Sequence, residues 1–132
     1  MKDNISDMLT RIRNGQKAGL LSIPLFWPTP NFCIQILELL QKEGFIRGFK
    51  KIFIKNKTYF FVLLKYTEEQ TPTIKKIERI SKPGKRVYCS SKNFWKLNNG
   101  NGVLVISSPK GLVTDDFARH SKVGGEIILY IE

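Results

Sequence analysis

The sequence predicts an α+β protein in two halves: an N-terminal αβαββ half over residues 1–67 and a C-terminal half over residues 68–132 that is mainly β with short helices. Three observations carry that reading. Two stretches in the first third repeat apolar residues at helical spacing. Runs of β-branched and aromatic residues, bounded by turn residues, fill much of the remainder. The polar, proline-containing "TEEQTPT" separates one group of elements from the other. With 132 residues, 42% of them hydrophobic, and no low-complexity tract, the chain has the material for a real core.

In "DNISDMLTRIRNGQK" the apolar Ile5, Met8, Leu9 and Ile12 fall at i, i+3, i+4 and i+7, one stripe of a helix begun by a cap at Asp3 or Asn4. With that stripe on the core, Thr10, Arg11, Asn14 and Lys17 face solvent and Arg13 lies near the edge. Such a basic, hydrogen-bonding face suits RNA contact and plain solvation equally. "LLSIPLFWPTPN" reads as an edge strand and an extended loop, because its prolines cannot donate to a ladder. Asn31 is positioned to cap a second helix, whose Ile34, Ile36, Leu37, Leu39 and Leu40 form a broad apolar surface as far as Lys42. Gly44 then ends it as a left-handed residue. "FIRGFKKIFIK" and "TYFFVLLKY" form a β-hairpin turning at Lys55-Asn56-Lys57, with lysines clustered at its tip.

Past the boundary, "IKKIERI" and "RVYCS" are strands around Lys82-Pro83-Gly84-Lys85, where Pro fits position i+1 and Gly position i+2 of a type II turn. "KLNNGNG" is a loop and "VLVIS" a buried strand that runs into Ser107 and Ser108, after which Lys110-Gly111 turns the chain. Thr114 caps a short helix whose Asp115 and Asp116 oppose the positive helix end. Gly124 and Gly125 lead into the last strand, "EIILYI".

A formal net charge of +11 and an isoelectric point near 9.8 point to a polyanionic partner, either nucleic acid or an anionic membrane. Cys33 and Cys89 have no zinc-site spacing and read as reduced thiols, Cys33 in the core. No run of about 18 apolar residues is present, so a transmembrane helix is not expected. No secretory h-region follows Met1, and Asp3 and Asp7 argue that the amphipathic first helix belongs to the fold rather than to a transit peptide. The same acids weaken a reading of that helix as a membrane anchor.

The densest polar stretch is "SSPKGLVTDDFARHSKVGGE". Asp115, Asp116, His120 and Glu126 are the candidates for a metal-dependent nucleic-acid hydrolase, but adjacent helical aspartates diverge by about 100° and capping accounts for both. The other chemistry there is uncharged. Ser107 and Ser108 offer hydroxyls, and Gly124 and Gly125 expose backbone amides, although both segments also suit ordinary β-turns. In "ISKPGKRVY", Lys82, Lys85 and Arg86 stand close to Tyr88, a combination that neutralises phosphates while a ring stacks on a base or sugar. Tyr88 suits a half-buried strand position equally, and "FFV" and Trp95 read as core.

Taken together, "ISDMLTRIRNG", "LLQKEGFIRGF", "RISKPGKRVY" and "SSPKGLVTDDFAR" followed by "VGGEII" resemble, in order and nearly in spacing, small-subunit ribosomal protein eight of the bacterial and organellar type. The resemblance covers almost the whole chain. It implies two tightly packed halves, no catalytic activity and no cofactor or metal. It also implies direct, early binding to an irregular stem in the central domain of small-subunit ribosomal RNA, among neighbouring small-subunit proteins and with no membrane. In bacteria the family also represses its own message.

The family's main RNA surface lies on the second half. Here Ser107 and Ser108 match the first two serine/threonine positions of its turn, while Pro109 replaces the third serine and removes a hydroxyl and an amide donor. Gly124, Gly125 and Glu126 match its Gly-Gly-Glu loop; Lys82, Lys85, Arg86 and Tyr88 match its Lys-Pro-Gly segment; Lys110, Arg11, Arg13 and Asn14 complete the expected contacts. Phe117 stands where the family has a capping-box Glu, leaving Thr114 as the sole cap. The loop before the second helix is longer than usual, and Phe26 and Trp27 are expected to meet another protein. A composition rich in Lys, Ile, Phe and Asn suits an A+T-rich genome. With no presequence it points to an organelle-encoded mitochondrial ribosome, a plastid or bacterial one being the alternative.

Overall fold

A computed structural model describes residues 4–98 and 100–132, so the cap expected at Asp3 lies outside the described residues. The chain divides into two compact units, Met1–Ile74 and Lys75–Glu132. The elements form an α+β fold.

In the first unit, α1 (Asn4–Ala18) buries Met8, Leu9 and Ile12, the stripe its periodicity predicts. An edge strand, β1 (Ser22–Pro24), follows. The helix α2 (Asn31–Lys42) starts one position differently from the expectation. Pro30, extended at φ −66° and ψ 153°, is the N-cap, with no side-chain cap bond, and Asn31 is already helical. A proline has no N–H to satisfy there, and its carbonyl still accepts from the Ile34 N–H at 3.2 Å. At the other end Gly44, at φ 82°, takes the predicted left-handed position. Leu40, Ile36, Leu37 and Cys33 are the face of α2 that is buried.

The strands β2 (Gly48–Ile54) and β3 (Lys57–Leu63) pair as an antiparallel hairpin, completing a sheet of order β1-β3-β2. Its two-residue loop puts Lys55 at φ 49° and Asn56 at φ 65°, the pair of left-handed residues that a type I′ turn requires. The alternation in β3 buries Phe60 and Val62 and leaves Phe61 half-exposed. Buried Gln16 is engaged at both ends of its amide: the nitrogen donates to the Lys65 carbonyl and the oxygen accepts from the Ile74 N–H, both at 3.3 Å.

The second unit is built on β8 (Gly125–Ile131), the sheet's central strand. On one side β8 pairs with β6 (Val103–Ser108), which pairs in turn with β7 (Gly111–Thr114). On the other side it pairs with β4 (Ile77–Arg79) near its C-terminus and with β5 (Tyr88–Cys89) at its start. A 3-10 helix (Ser91–Lys96) and α3 (Asp115–His120) bring Phe94 and Ala118 into a core with Leu104, Ile106, Ile127 and Tyr130. As expected, Thr114 caps α3, its hydroxyl accepting from the Phe117 N–H at 3.2 Å.

Three expectations change here. The Lys82–Lys85 turn closes through the Lys85 N–H to the Lys82 carbonyl at 2.9 Å, but Gly84 does not enter the left-handed region, so the turn is not type II. A proline at i+1 suits the type I alternative as well. Trp95 is 67% exposed instead of core, because the 3-10 helix spends its inward position on Phe94. β7 is a strand that the four residues "GLVT" do not advertise by pattern.

Candidate nucleic-acid interface

Strand register assembles the site. Tyr88 on β5 and Ser107 on β6 both pair with Glu126 on β8, so the three residues stand in one row across the sheet. The next row, Ile106 with Ile127, belongs to the core. Since successive side chains on a strand point to opposite faces, the Tyr88–Glu126–Ser107 row faces away from that core. Tyr88 is 70% exposed, which decides its two sequence readings in favour of an open ring. Among the described residues the Ser107 hydroxyl has no hydrogen-bond partner.

Glu126 is fixed rather than free. Its Oε2 accepts from Ser81 Oγ at 2.7 Å and from Arg86 Nη1 at 3.0 Å. Ser81, 1% exposed, also accepts from the Val87 N–H at 2.9 Å. One hydroxyl therefore ties the segment leading into β5 to the carboxylate on β8 and sets where that carboxylate points. Arg86 is half-exposed, and its charge is partly committed to Glu126. Lys82 and Lys85 project from the adjoining turn, exposed.

The paired glycines have a packing reason that the sequence did not reveal. A Cβ at Gly124 would lie 2.9 Å from the Ser90 Cα, and one at Gly125 would collide with the Ser107 carbonyl. Neither obstacle is a movable side chain, so β8 starts with glycine because β5 and β6 approach its backbone closely. The Ser108 hydroxyl is likewise occupied: it donates to the Gly111 carbonyl at 2.9 Å and accepts from the Lys110 N–H at 3.1 Å. It holds the β6–β7 turn in which Pro109 sits, and Lys110 is exposed at the tip.

The four hydrolase candidates are dispersed into local tasks. Buried Asp115 accepts from Asn98 Nδ2 at 2.9 Å and from the Leu104 N–H at 3.4 Å, pinning the loop before β6. Asp116 pairs with Arg119 at 2.9 Å, His120 turns its Nδ1 to the Asp116 carbonyl at 2.8 Å, and Glu126 is held as described. Among the described residues no three His, Cys, Asp or Glu side chains converge on a cation position.

Arg11, Arg13 and Asn14 belong to α1 of the first unit. Arg13 and Asn14 are exposed. Arg11 is not the solvent-facing cation expected: its Nε donates to Asp7 at 3.0 Å and its guanidinium lies 4.9 Å from the Phe26 ring centroid. Trp27 is also withdrawn, 8% exposed with its indole N–H given to Asp7, whereas Phe26 remains 69% exposed. The residue missed by sequence reasoning is Ser81. Its only local signal is its place before the Lys-Pro-Gly turn, and its carboxylate partner lies 45 residues away.

Residues 3–131 match the family model described as "Ribosomal protein S8". The chain is 43% identical over 128 residues to "Small ribosomal subunit protein uS8" of Geobacter sulfurreducens, covering 97% of this chain and 96% of that protein. The proteins of the same name from Novosphingobium aromaticivorans (44% identity, 97% and 95% coverage) and Phytoplasma mali (45%, 99% and 98%) are similar over comparable spans.

Proposed function

The chain belongs to the ribosomal protein S8 family, and on that premise we propose that it is a structural, non-enzymatic constituent of the small ribosomal subunit that grips ribosomal RNA with its second half. The RNA is an irregular stem of the central domain. Lys82, Lys85, Lys110 and Arg13 neutralise phosphates, with Asn14 adding a hydrogen-bonding group, while the charges of Arg11 and Arg86 are partly committed to Asp7 and Glu126. Ser107, Glu126 and Tyr88 make the discriminating contacts, on a surface shaped by Ser108, Gly124 and Gly125. The reading rests on one observation above all: an open tyrosine ring, an oriented carboxylate and an uncommitted hydroxyl stand in register on one sheet face. Such groups read exposed bases and 2′-hydroxyls, which phosphate charge does not distinguish.

The division of labour within the site follows from the bonds already made. Ser108 and the glycines shape the surface, while Ser107, Glu126 and Tyr88 present atoms to RNA. Adjoining small-subunit proteins are the further partners, and exposed Phe26 is a contact of suitable chemistry for one of them. The named relatives are bacterial, which favours a bacterial-type particle. An organelle-encoded mitochondrial ribosome is the finer reading suggested by composition.

Salt titration tests the proposal. Affinity for the cognate stem should fall with a log-log slope of about −0.7 to −0.9 per neutralised phosphate. The stem should retain an advantage over random duplexes at every salt concentration. Equal grip on both, or absence of the protein from small-subunit gradient fractions, overturns it.

A further inference from the structure

The second unit carries another cationic and aromatic surface, outside the Tyr88–Glu126–Ser107 row. A recess of about 580 Å³ is lined by Ser91, Lys92, Phe94, Trp95, Arg119 and Lys122. Its floor is Phe94, 1% exposed and part of the core that includes Ile106 and Ile127. The recess therefore belongs to the helical layer on the core side of the sheet, whereas the Ser107 row points the other way.

Three features give it a chemistry. Trp95 leaves 67% of its surface open, an unusual use of the largest side chain when a core position was available one residue earlier. Lys96 keeps its ammonium 5.7 Å from the Trp95 ring centroid, and Lys92, Arg119 and Lys122 are exposed around the opening. Asp116 opposes these cations, paired with Arg119 at 2.9 Å with both side chains largely in solvent. The end of α3 adds little repulsion towards an anion: the Phe117, Ala118 and Arg119 carbonyls accept from the N–H groups of Ser121, Val123 and Lys122.

We propose that this recess binds an unpaired nucleotide of RNA, its base stacked on the Trp95 indole and its phosphate held between Lys92 and Lys122. A flat exposed indole ringed by lysines is matched by a base and its phosphate, and stacking accepts any base because each has a π face. An acidic protein segment would satisfy the cations but leave the ring without a flat partner. The inference rests on the RNA-binding reading above. It adds a single-stranded site on the opposite side of the sheet from the surface assigned to the stem.

Acrylamide quenching isolates the residue in the intact chain, since Trp27, the other of the two tryptophans, is buried. Oligoadenylate should protect Trp95 from the quencher. Trp95→Ala should weaken oligoadenylate binding about 5- to 150-fold, the range for loss of one base–aromatic stack, while Trp95→Phe retains most of it. Replacing Lys92 and Lys122 together by alanine should reduce the salt slope by about 0.7, the value for one phosphate. Ser107→Ala should leave oligoadenylate binding unchanged while weakening the stem complex. The proposal is overturned if Trp95→Ala binds oligoadenylate as tightly as the parent chain, or if oligoglutamate competes equally well. Loss of stem discrimination with Trp95-dependent oligoadenylate binding intact would sink the stem assignment and support this one.

Discussion

Replacing Ser81 by alanine removes one hydroxyl and strands two groups. The Val87 N–H loses its acceptor at 2.9 Å, and Glu126 loses a 2.7 Å donor. Leaving an amide without a partner costs about 1–3 kcal/mol, and a hydrogen bond to a charged group contributes about 1.5–3 kcal/mol. The Glu126 side chain is 17% exposed, so water replaces part of the second loss. A net destabilisation of about 2–3 kcal/mol follows. Urea unfolding measures it as a lower midpoint at unchanged m, by about 1–2 M for an m near 1.5 kcal/mol/M. The same variant should lose preference for the cognate stem over random duplex, because the carboxylate is no longer aimed. A double-mutant cycle with Glu126→Ala decides between this bridge and two independent contacts. Ser81 and Glu126 effects that add within about 0.5 kcal/mol would refute the reasoning.

Glu126→Gln should release Arg86, raising affinity for random duplexes and steepening the salt slope by about 0.7–0.9 while narrowing the stem's advantage; an unchanged slope in filter binding would show that Arg86 was never restrained. Ser107→Ala should keep the unfolding midpoint and weaken the stem complex about 2- to 10-fold, whereas Gly125→Ala should lose at least about 1–3 kcal/mol of stability through its collision with the Ser107 carbonyl. A Gly125→Ala protein as stable as its parent would contradict the strand packing. The hydrogen bond to Glu132, together with burial, raises the Tyr130 hydroxyl above its ordinary value of 10. The folded state holds this proton more tightly, so its contribution is intact below pH 10 and is lost as pH rises through the raised value. The alkaline limb of stability against pH should be less steep for Tyr130→Phe than for the parent chain, and identical slopes would exclude the effect.

Several features were legible because their causes lie within a few residues in the chain. The stripe Met8–Leu9–Ile12, the left-handed stop at Gly44, the Lys55-Asn56 hairpin turn and the Thr114 cap each depend on neighbours one to four positions away. Charge is a sum over residues and needs no fold, so a polyanionic partner was readable from the same letters. The roles of individual polar groups were not. Whether a hydroxyl or a cation is free depends on what another segment places beside it. Ser81 meets a carboxylate 45 residues on, Asp115 serves an amide 17 residues back, and Arg11 is covered by Phe26 from beyond β1. The openness of Trp95 was set by the 3-10 helix turning Phe94 inward. The sequence by itself determined the two long helices, the Lys55-Asn56 hairpin turn and the electrostatic attraction, all local or additive quantities. Only the tertiary structure decided which polar atoms remain to meet RNA, because hydrogen-bond capacity is consumed pairwise by partners that strand register brings from far along the chain.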